Sequence, residues 1–288
     1  MTRDIDENIE QLRADWPTKA YKNLDFLNSP HARPVRMLCE YAEPRARFEK
    51  YNIRDTIVFF GSARTISAEQ AQANLQAIEQ QDTAGQTNGE LQEALFRAHR
   101  DLNHSKYYED ARALARKLTE WAKTLPNNHN RFAICSGGGP GIMEAANRGA
   151  SEADGPSIGL NISLPMEQHP NPYQTPDLSF EFHYFFIRKF WFMYLARAML
   201  AFPGGFGTMD ELFELLTLLQ THKTHRKVPV IIYGTDFWNQ VLHLDSLQKA
   251  GVISKEDKDL VRMFDDVDSA FEFLTDELTK HFVEPIDG

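Results

Sequence analysis

Apolar residues recur along this chain at two spacings, and the alternation between them predicts the elements. Residues 1–54 are charged, with a helix-like period over 35–50. Residues 56–61, TIVFFG, form a short apolar run closed by glycine, as expected of a parallel strand buried on both faces. The segment 67–105 is polar and rich in Gln and Ala, with QQDTAGQTNGE at its centre. It predicts helices joined by a mobile loop. Helical spacing returns over 107–124 and ends before Pro126. Residues 131–135 predict a second strand, followed by a glycine-rich turn and a helix over 140–150. Further strands are expected over 156–162, 180–184, 198–202 and 228–234. Helices are expected over 186–196 and 208–221. Residues 164–176 carry four prolines and predict an irregular surface loop. Beyond residue 234 the pattern is mainly helical, and no internal repeat is visible.

Strands alternating with helices predict an α/β domain, a doubly wound parallel sheet covered by helices on both faces. The expected organisation is a helical extension over 1–54 and one nucleotide-binding domain over 55–288, interrupted by the 67–105 insertion. Ligands of such sheets bind beyond the carboxyl ends of the strands, where strand order reverses. Two glycine-rich turns follow predicted strands, which puts both on that rim.

Composition narrows the functions. At 288 residues with 42% apolar content the chain can bury a large core. A formal charge of −10 argues against a nucleic-acid partner, since phosphate backbones reward Lys/Arg surfaces. A small phosphorylated ligand remains compatible, because backbone amides bind phosphate without net positive charge. Cys39 and Cys135 are the only cysteines, too few for a disulfide framework. No Cys/His cluster has metal spacing, so no metal and no organic cofactor are expected. The start, MTRDIDENIEQLRADW, lacks the apolar core of a signal peptide, and no apolar run reaches membrane-spanning length. No membrane partner is expected, and the expected compartment is the cytoplasm.

The first turn, Ser136-Gly137-Gly138-Gly139-Pro140-Gly141, opens a helix. Missing side chains let backbone N–H groups approach an anion, and the helix N-terminus adds positive partial charge. Pro140 suits a first helical turn. No Gly-Lys-Ser/Thr follows, and Ile142 stands where a dinucleotide fingerprint needs glycine. Taken alone, the motif is equally a tight strand-to-helix turn. The second turn, Pro203-Gly204-Gly205-Phe206-Gly207-Thr208, precedes Met209-Asp210-Glu211. Thr208 and Glu211 have T-x-x-E spacing, which capping alone explains equally well. Two anion-competent turns on one rim point together to a phosphate-bearing ligand.

GGGPGIMEAANRGA at 137–150 and PGGFGTMDELFE at 203–214 resemble the LOG (Lonely Guy) family, the cytokinin riboside 5′-monophosphate phosphoribohydrolases, whose members are often labelled lysine decarboxylases. The family pattern P-G-G-x-G-T-x-x-E is preceded by an Arg-Lys pair, here Arg188-Lys189, with Arg188 lying 23 positions before Glu211. Gly61-Ser62, Tyr107-Tyr108-Glu109 and the run from Leu164 to Gln168 are similar to longer bacterial members. The resemblance covers roughly residues 55–235 and leaves out the leader; the 67–105 insertion is longer than in compact plant members. It implies a Rossmann-like fold and hydrolysis of the N-glycosidic bond of a nucleoside 5′-monophosphate, AMP or an N6-modified AMP. It implies catalytic roles for Arg188 and Glu211. Gly137, Gly138, Gly139, Gly141, Gly204, Gly205, Gly207 and Thr208 would hold phosphate or ribose.

That chemistry suits the residues. Breaking a ribosyl C1′–N bond builds positive charge on the sugar, which one carboxylate can stabilise while it orients or deprotonates water. Arg188 is suited to bidentate contact that Lys189 cannot copy. Ser62 and Arg64, after the first strand, are candidate substrate contacts, as is Lys189. Glu167, Gln168 and Asn171, on the proline loop, are candidates to close over the base. Asp210 and Glu214 read as a solvated or interface face. The aromatic run Phe185, Phe186, Phe190, Trp191, Phe192, Tyr194 fits either core packing or a homodimer interface. The alternative function is a non-catalytic nucleotide-binding or sensing module of the same fold. It would keep the glycine turns without needing Arg188 or Glu211. A decarboxylase would need a Schiff-base lysine, and no lysine stands in a convincing motif for one.

Overall fold

The computed structural model describes residues 16–82, 89–126, 130–165, 169–224 and 226–283. They fall into two compact units, divided between Pro44 and Arg45. The first contains the short helix α1 (Leu24–Asn28), whose Asn23 cap accepts from Phe26 N–H at 3.1 Å. Helix α2 (Arg33–Lys50) begins there.

The second unit is built on seven parallel strands: β1 (Thr56–Phe60), β2 (Ala133–Ser136), β3 (Ser157–Ile162), β4 (Ser179–Phe182), β5 (Ala196–Ala201), β6 (Val230–Tyr233) and β7 (Val261–Phe264). Their order is β4-β3-β2-β1-β5-β6-β7. The connecting helices are α3 (Ala68–Asp82), α4 (Gly89–Thr124), α5 (Ile142–Glu152), α6 (Phe185–Leu195), α7 (Phe206–Gln220), α8 (Thr235–Val241), α9 (Leu244–Lys249), α10 (Lys255–Lys258) and α11 (Val267–Leu278). The chain winds outward from β1 to β4, returns to β5 on the other side of β1, and winds outward again. Strand order reverses at β1 and β5, and the loops after these strands open there.

All five residues of β1 are buried, because helices cover both faces of the sheet. Ile57 and Phe59 point into a cluster with Leu114 and Leu118 of α4, Ile142 and Ala146 of α5, and Leu274 of α11. Phe60 points the other way and meets Phe192 of α6 edge-on, with ring centroids 4.8 Å apart. This two-sided burial, at about 25 cal/mol per Å² of apolar surface, drives assembly of the sheet. At the amino ends of the strands, Asp55 is fully buried. Its carboxylate accepts from Phe132 N–H at 2.6 Å and pairs with Arg131 at 3.0 Å.

The six expected strands and their intervening helices form, as does the Rossmann-like α/β architecture. Three local expectations differ. Strand β7 was not expected: VRMF is four residues long, sits at the sheet edge and carries an exposed Arg262, so it lacks the continuous apolar signature of the inner strands. Helix α4 runs unbroken from Gly89, so Tyr107 lies mid-helix. The polar stretch before it is helical because its Glu, Gln, Ala and Arg residues favour helix whatever their hydrophobic pattern. Pro140 lies before α5, whose N-cap is Gly141. The loop expected inside the insertion falls at 83–88, outside the described residues.

Candidate active site

The loops at the carboxyl ends of β1, β2, β3 and β5 surround a cavity of about 600 Å³, within the usual range for small-molecule sites, ~300–1,000 Å³. Gly61, Ser62 and Arg64 line it after β1, and Gly137, Gly139 and Met143 after β2. Asn161 and Leu164 line it after β3, Gly205, Phe206, Gly207, Thr208 and Glu211 after β5, and Phe185 and Arg188 from α6.

The β1 loop ties the two glycine turns together. Ser62 N–H donates to Pro203 O at 2.9 Å, and Ser62 O accepts from Ile142 N–H at 3.1 Å. Gly141, with φ +74°, must be glycine twice over: the conformation is left-handed, and a Cβ would collide with Ser62 O. Gly138, with φ +75°, is in the same position against the Asn161 carboxamide. Gly205 and Gly207 differ. A Cβ on either would meet nothing within 4 Å, so protein packing does not demand glycine there. What their bareness does is keep backbone open to the cavity.

Helices α5 and α7 both begin at this rim, on Gly141 and Gly205, and neither has a side-chain cap. Their first N–H groups lack intrahelical partners and carry the positive end of the helix dipole. The capping reading of Thr208 and Glu211 therefore fails. The N-cap is Gly205, which places Thr208 and Glu211 inside the helix.

Glu211 is 3% exposed, and its Oε2 has no hydrogen-bond partner among the described residues. Burial pushes its carboxyl up to about 7, against the pull of Lys189 and Arg188. Arg188 lies on the adjacent helix. Its Nη1 reaches Leu160 O at 3.4 Å and its buried Nε has no hydrogen-bond partner among the described residues. Burial lowers the pKa of its guanidinium, and the charges of Glu211 and Asp210 oppose that. An unsatisfied buried carboxylate oxygen and an unsatisfied buried guanidinium nitrogen, on two residues that line one cavity, cost stability. Such uncompensated polarity concentrates where a protein acts on a ligand.

Other candidates fall elsewhere. Lys189 does not line the cavity; its Nζ lies 2.9 Å from Asp210 Oδ2, 2.7 Å from Glu214 Oε2 and 3.8 Å from Glu211 Oε2. Asp210 and Glu214 thus hold a lysine and are not simply a solvated face. Asn171 does not line the cavity either. Its amide donates to Gly138 O, Gly139 O and Asn147 Oδ1 at 2.9–3.0 Å, so it supports the glycine turn from behind. Gly138, Gly141 and Gly204 shape the turns without lining the cavity. Glu167 and Gln168 lie outside the described residues.

The site also uses residues the sequence reading passed over. Asn147 is completely buried on α5; it accepts from Ser136 Oγ at 2.7 Å and donates to Ser157 Oγ and Ile158 O. Ser136 Oγ in turn accepts from Gly138 N–H at 3.0 Å. A polar residue in the Ala-rich stripe of α5 was the available signal, because a buried amide must be satisfied. Phe185 and Met143 gave no signal beyond hydrophobicity. Among the described residues no group of three or more His, Cys, Asp or Glu side chains is arranged to hold a metal, and no helix is long and apolar enough to cross a membrane.

The family model described as "Possible lysine decarboxylase" matches residues 143–274, which include Arg188, the second glycine turn and Glu211. The chain is 33% identical over 115 residues to the "Pyrimidine/purine nucleotide 5'-monophosphate nucleosidase" of Escherichia coli (strain K12), covering 35% of this chain and 24% of that protein. It is 33% identical over 103 residues to "Cytokinin riboside 5'-monophosphate phosphoribohydrolase LOG7" of Arabidopsis thaliana, covering 32% of this chain and 46% of that protein. The match thus spans about a quarter and about half of these relatives' own lengths. Over this part of the chain the two glycine turns, with Arg188 and Glu211 on one cavity wall, are similar to the LOG-type proteins that these matches name.

Proposed function

We propose that this protein hydrolyses the N-glycosidic bond of a nucleoside 5′-monophosphate, AMP or an N6-modified AMP, giving free base and ribose 5-phosphate. The observation that carries the proposal is the buried, unsatisfied Glu211 Oε2 at the wall of the cavity, with Arg188 beside it. The names of the two relatives support the substrate class.

The uncapped start of α7 and the bare backbone of Gly205 and Gly207 bind the 5′-phosphate. That fixes the ribose about one sugar length from Glu211. As the C1′–N bond breaks, its electron pair leaves with the base and C1′ becomes cationic. Ionised Glu211 faces that charge and takes the proton of the water that adds to C1′; that proton ends on the departing base, which is released neutral, and Glu211 is ionised again. Buried in a water-poor wall, it interacts more strongly with the transition state than an exposed carboxylate would. Arg188 presents its unused Nε and its remaining donors to the ribose or the departing base. Ser62 and Arg64 contact the same ligand from the β1 loop. The cavity wall carries no lysine among the described residues, so a Schiff-base decarboxylase has no support there.

Phe185, Phe186 and Tyr194 of α6 and Phe206 of α7 are large, apolar and exposed, Phe206 at 93%. Phe185 and Phe206 also line the cavity, and this exposed aromatic set supports a homodimer whose interface reaches the rim. The test of the function is incubation with a panel of nucleoside 5′-monophosphates and chromatography of the products. Free base with ribose 5-phosphate is the expected result. Binding without any product would select the sensing module instead.

A further inference from the structure

Lys189 stands next to Arg188 in sequence but does not line the cavity. Three carboxylates surround its ammonium group, and they are not equivalent. Asp210 and Glu214 are at hydrogen-bonding distance, 2.9 and 2.7 Å. Glu211 is at 3.8 Å, inside ion-pair range but with no hydrogen bond to its Oε2. Lysine donates up to three hydrogen bonds. Here the two more exposed carboxylates take the short contacts and hold the ammonium off the buried one. Glu211 therefore feels a positive charge while its oxygen stays open.

We propose that Lys189 is a positioning residue, anchored by Asp210 and Glu214, that sets the charge state of Glu211 without occupying its oxygen. The charged groups facing Glu211 are Lys189 and Arg188 from α6 and Asp210 and Glu214 from α7. Burial disfavours the ionised carboxyl most strongly, and Lys189 is the largest influence opposing it, ahead of Arg188. Glu214 and Asp210 act in the other direction by like charge. The anchors thus weaken the attraction in two ways: by their own charge, and by keeping the ammonium at 3.8 Å. Burial works to lower the Lys189 pKa, but the hydrogen bonds that its ammonium donates to Glu214 and Asp210, together with the charges of Glu211 and Glu214, outweigh it, so the ammonium stays charged. An ionised Glu211 bonded directly to lysine would be a spent salt bridge. One with no nearby cation would be a neutral acid at pH 7.

Two substitutions give opposite signs. Lys189→Met removes the leading attraction, so Glu211 should hold its proton to higher pH. Glu214→Gln removes a repulsion and frees the ammonium to approach Glu211, so Glu211 should ionise at lower pH. A cluster that served packing alone would not produce shifts of opposite sign.

The experiment titrates the Glu211 carboxyl by carbon-13 NMR in the full chain labelled at glutamate, with Glu211→Gln identifying the resonance. In parallel, base release from AMP is followed against pH. Loss of Lys189 should move the Glu211 midpoint upward by about tenfold or more in proton concentration, the lower end of what one opposite charge at 4–6 Å does. Glu214→Gln should move it downward, and the acid limb of the rate profile should follow each midpoint. Glu214→Gln alters a partly exposed side chain, so the test holds even if Lys189→Met fails to fold. An unmoved Glu211 midpoint in the folded variants, or shifts of the same sign in both, overturns the proposal whatever happens to the rate. The rate arm rests on the hydrolase reading. Opposite shifts without base release from wild type would sink that reading and leave this one standing.

Discussion

Replacing Glu211 with Gln should make the protein more stable and far slower. The size of the stability effect follows from burial. Glu211 titrates at about 7 in the folded chain, against 4.5 when exposed. In acid both states carry the proton and nothing is lost. As pH rises from 4.5 toward 7, the unfolded chain ionises first and binds fewer protons than the native one, so stability falls. Above 7 the full penalty applies, about 3 kcal/mol at 1.36 kcal/mol per tenfold. Gln keeps the shape and cannot ionise. Glu211→Gln should therefore match wild type near pH 4 and exceed it by about 2–3 kcal/mol at pH 8. Turnover should fall by roughly 10²–10⁴, the usual contribution of a positioned acid or base. The assay is denaturant unfolding at pH 4, 6 and 8 beside base release at saturating AMP. A helix-capping role predicts the reverse pattern, a loss of about 1 kcal/mol with turnover intact. Equal or lower stability at pH 8 would refute the burial argument. Near-native turnover would refute the catalytic one.

Three further outcomes are expected. Asp55→Ala takes the carboxylate from Arg131, which keeps only its hydrogen bond to Phe282 O, and leaves the buried Phe132 N–H without its acceptor at the opposite end of the sheet. Denaturant melts should show a loss of about 3–5 kcal/mol, while the KM of whatever remains folded stays unchanged. Adenosine should be turned over at least ~10²-fold less efficiently than AMP, judged by kcat/KM, since lost phosphate binding is lost transition-state positioning; equal efficiencies would remove the phosphate role from Gly205–Thr208. Light scattering should report a dimer, with Phe186→Asp shifting it toward monomer; a wild-type monomer of full activity would refute the interface at α6.

The sheet was legible in the sequence because its inner strands are short, mostly apolar runs, IVFF of β1 and VIIY of β6 among them, as burial on both faces requires. The edge strand VRMF was not, since half of it faces solvent. Both glycine turns were legible for a similar reason. Left-handed φ at Gly138 and Gly141 and open backbone at Gly205 leave glycine as the visible trace. Apart from the LOG resemblance, Glu211 showed itself only as T-x-x-E, a spacing that capping shares, and three-dimensional burial was needed to separate the two. Lys189 and Asn171, expected as substrate contacts, do not line the cavity, because sequence gives residue type and neighbourhood but not direction. Lys189 is turned toward carboxylates one helix away, and Asn171 toward the back of the first turn. Asn147 was hidden because its partners come from β2, β3 and the proline loop, segments whose meeting only the fold reveals.

The proposed activity of this cavity is cleavage of a C1′–N bond. The most direct measurement is incubation of the protein with AMP, with separation of adenine, adenosine, ribose 5-phosphate and inorganic phosphate over time, and with Arg188→Ala and Glu211→Gln run beside wild type. Hydrolysis at the glycosidic bond predicts adenine and ribose 5-phosphate in equal amounts from wild type, and at least ~10²-fold less from either variant. Adenosine with inorganic phosphate, adenine released equally by all three proteins, or AMP recovered intact would contradict it.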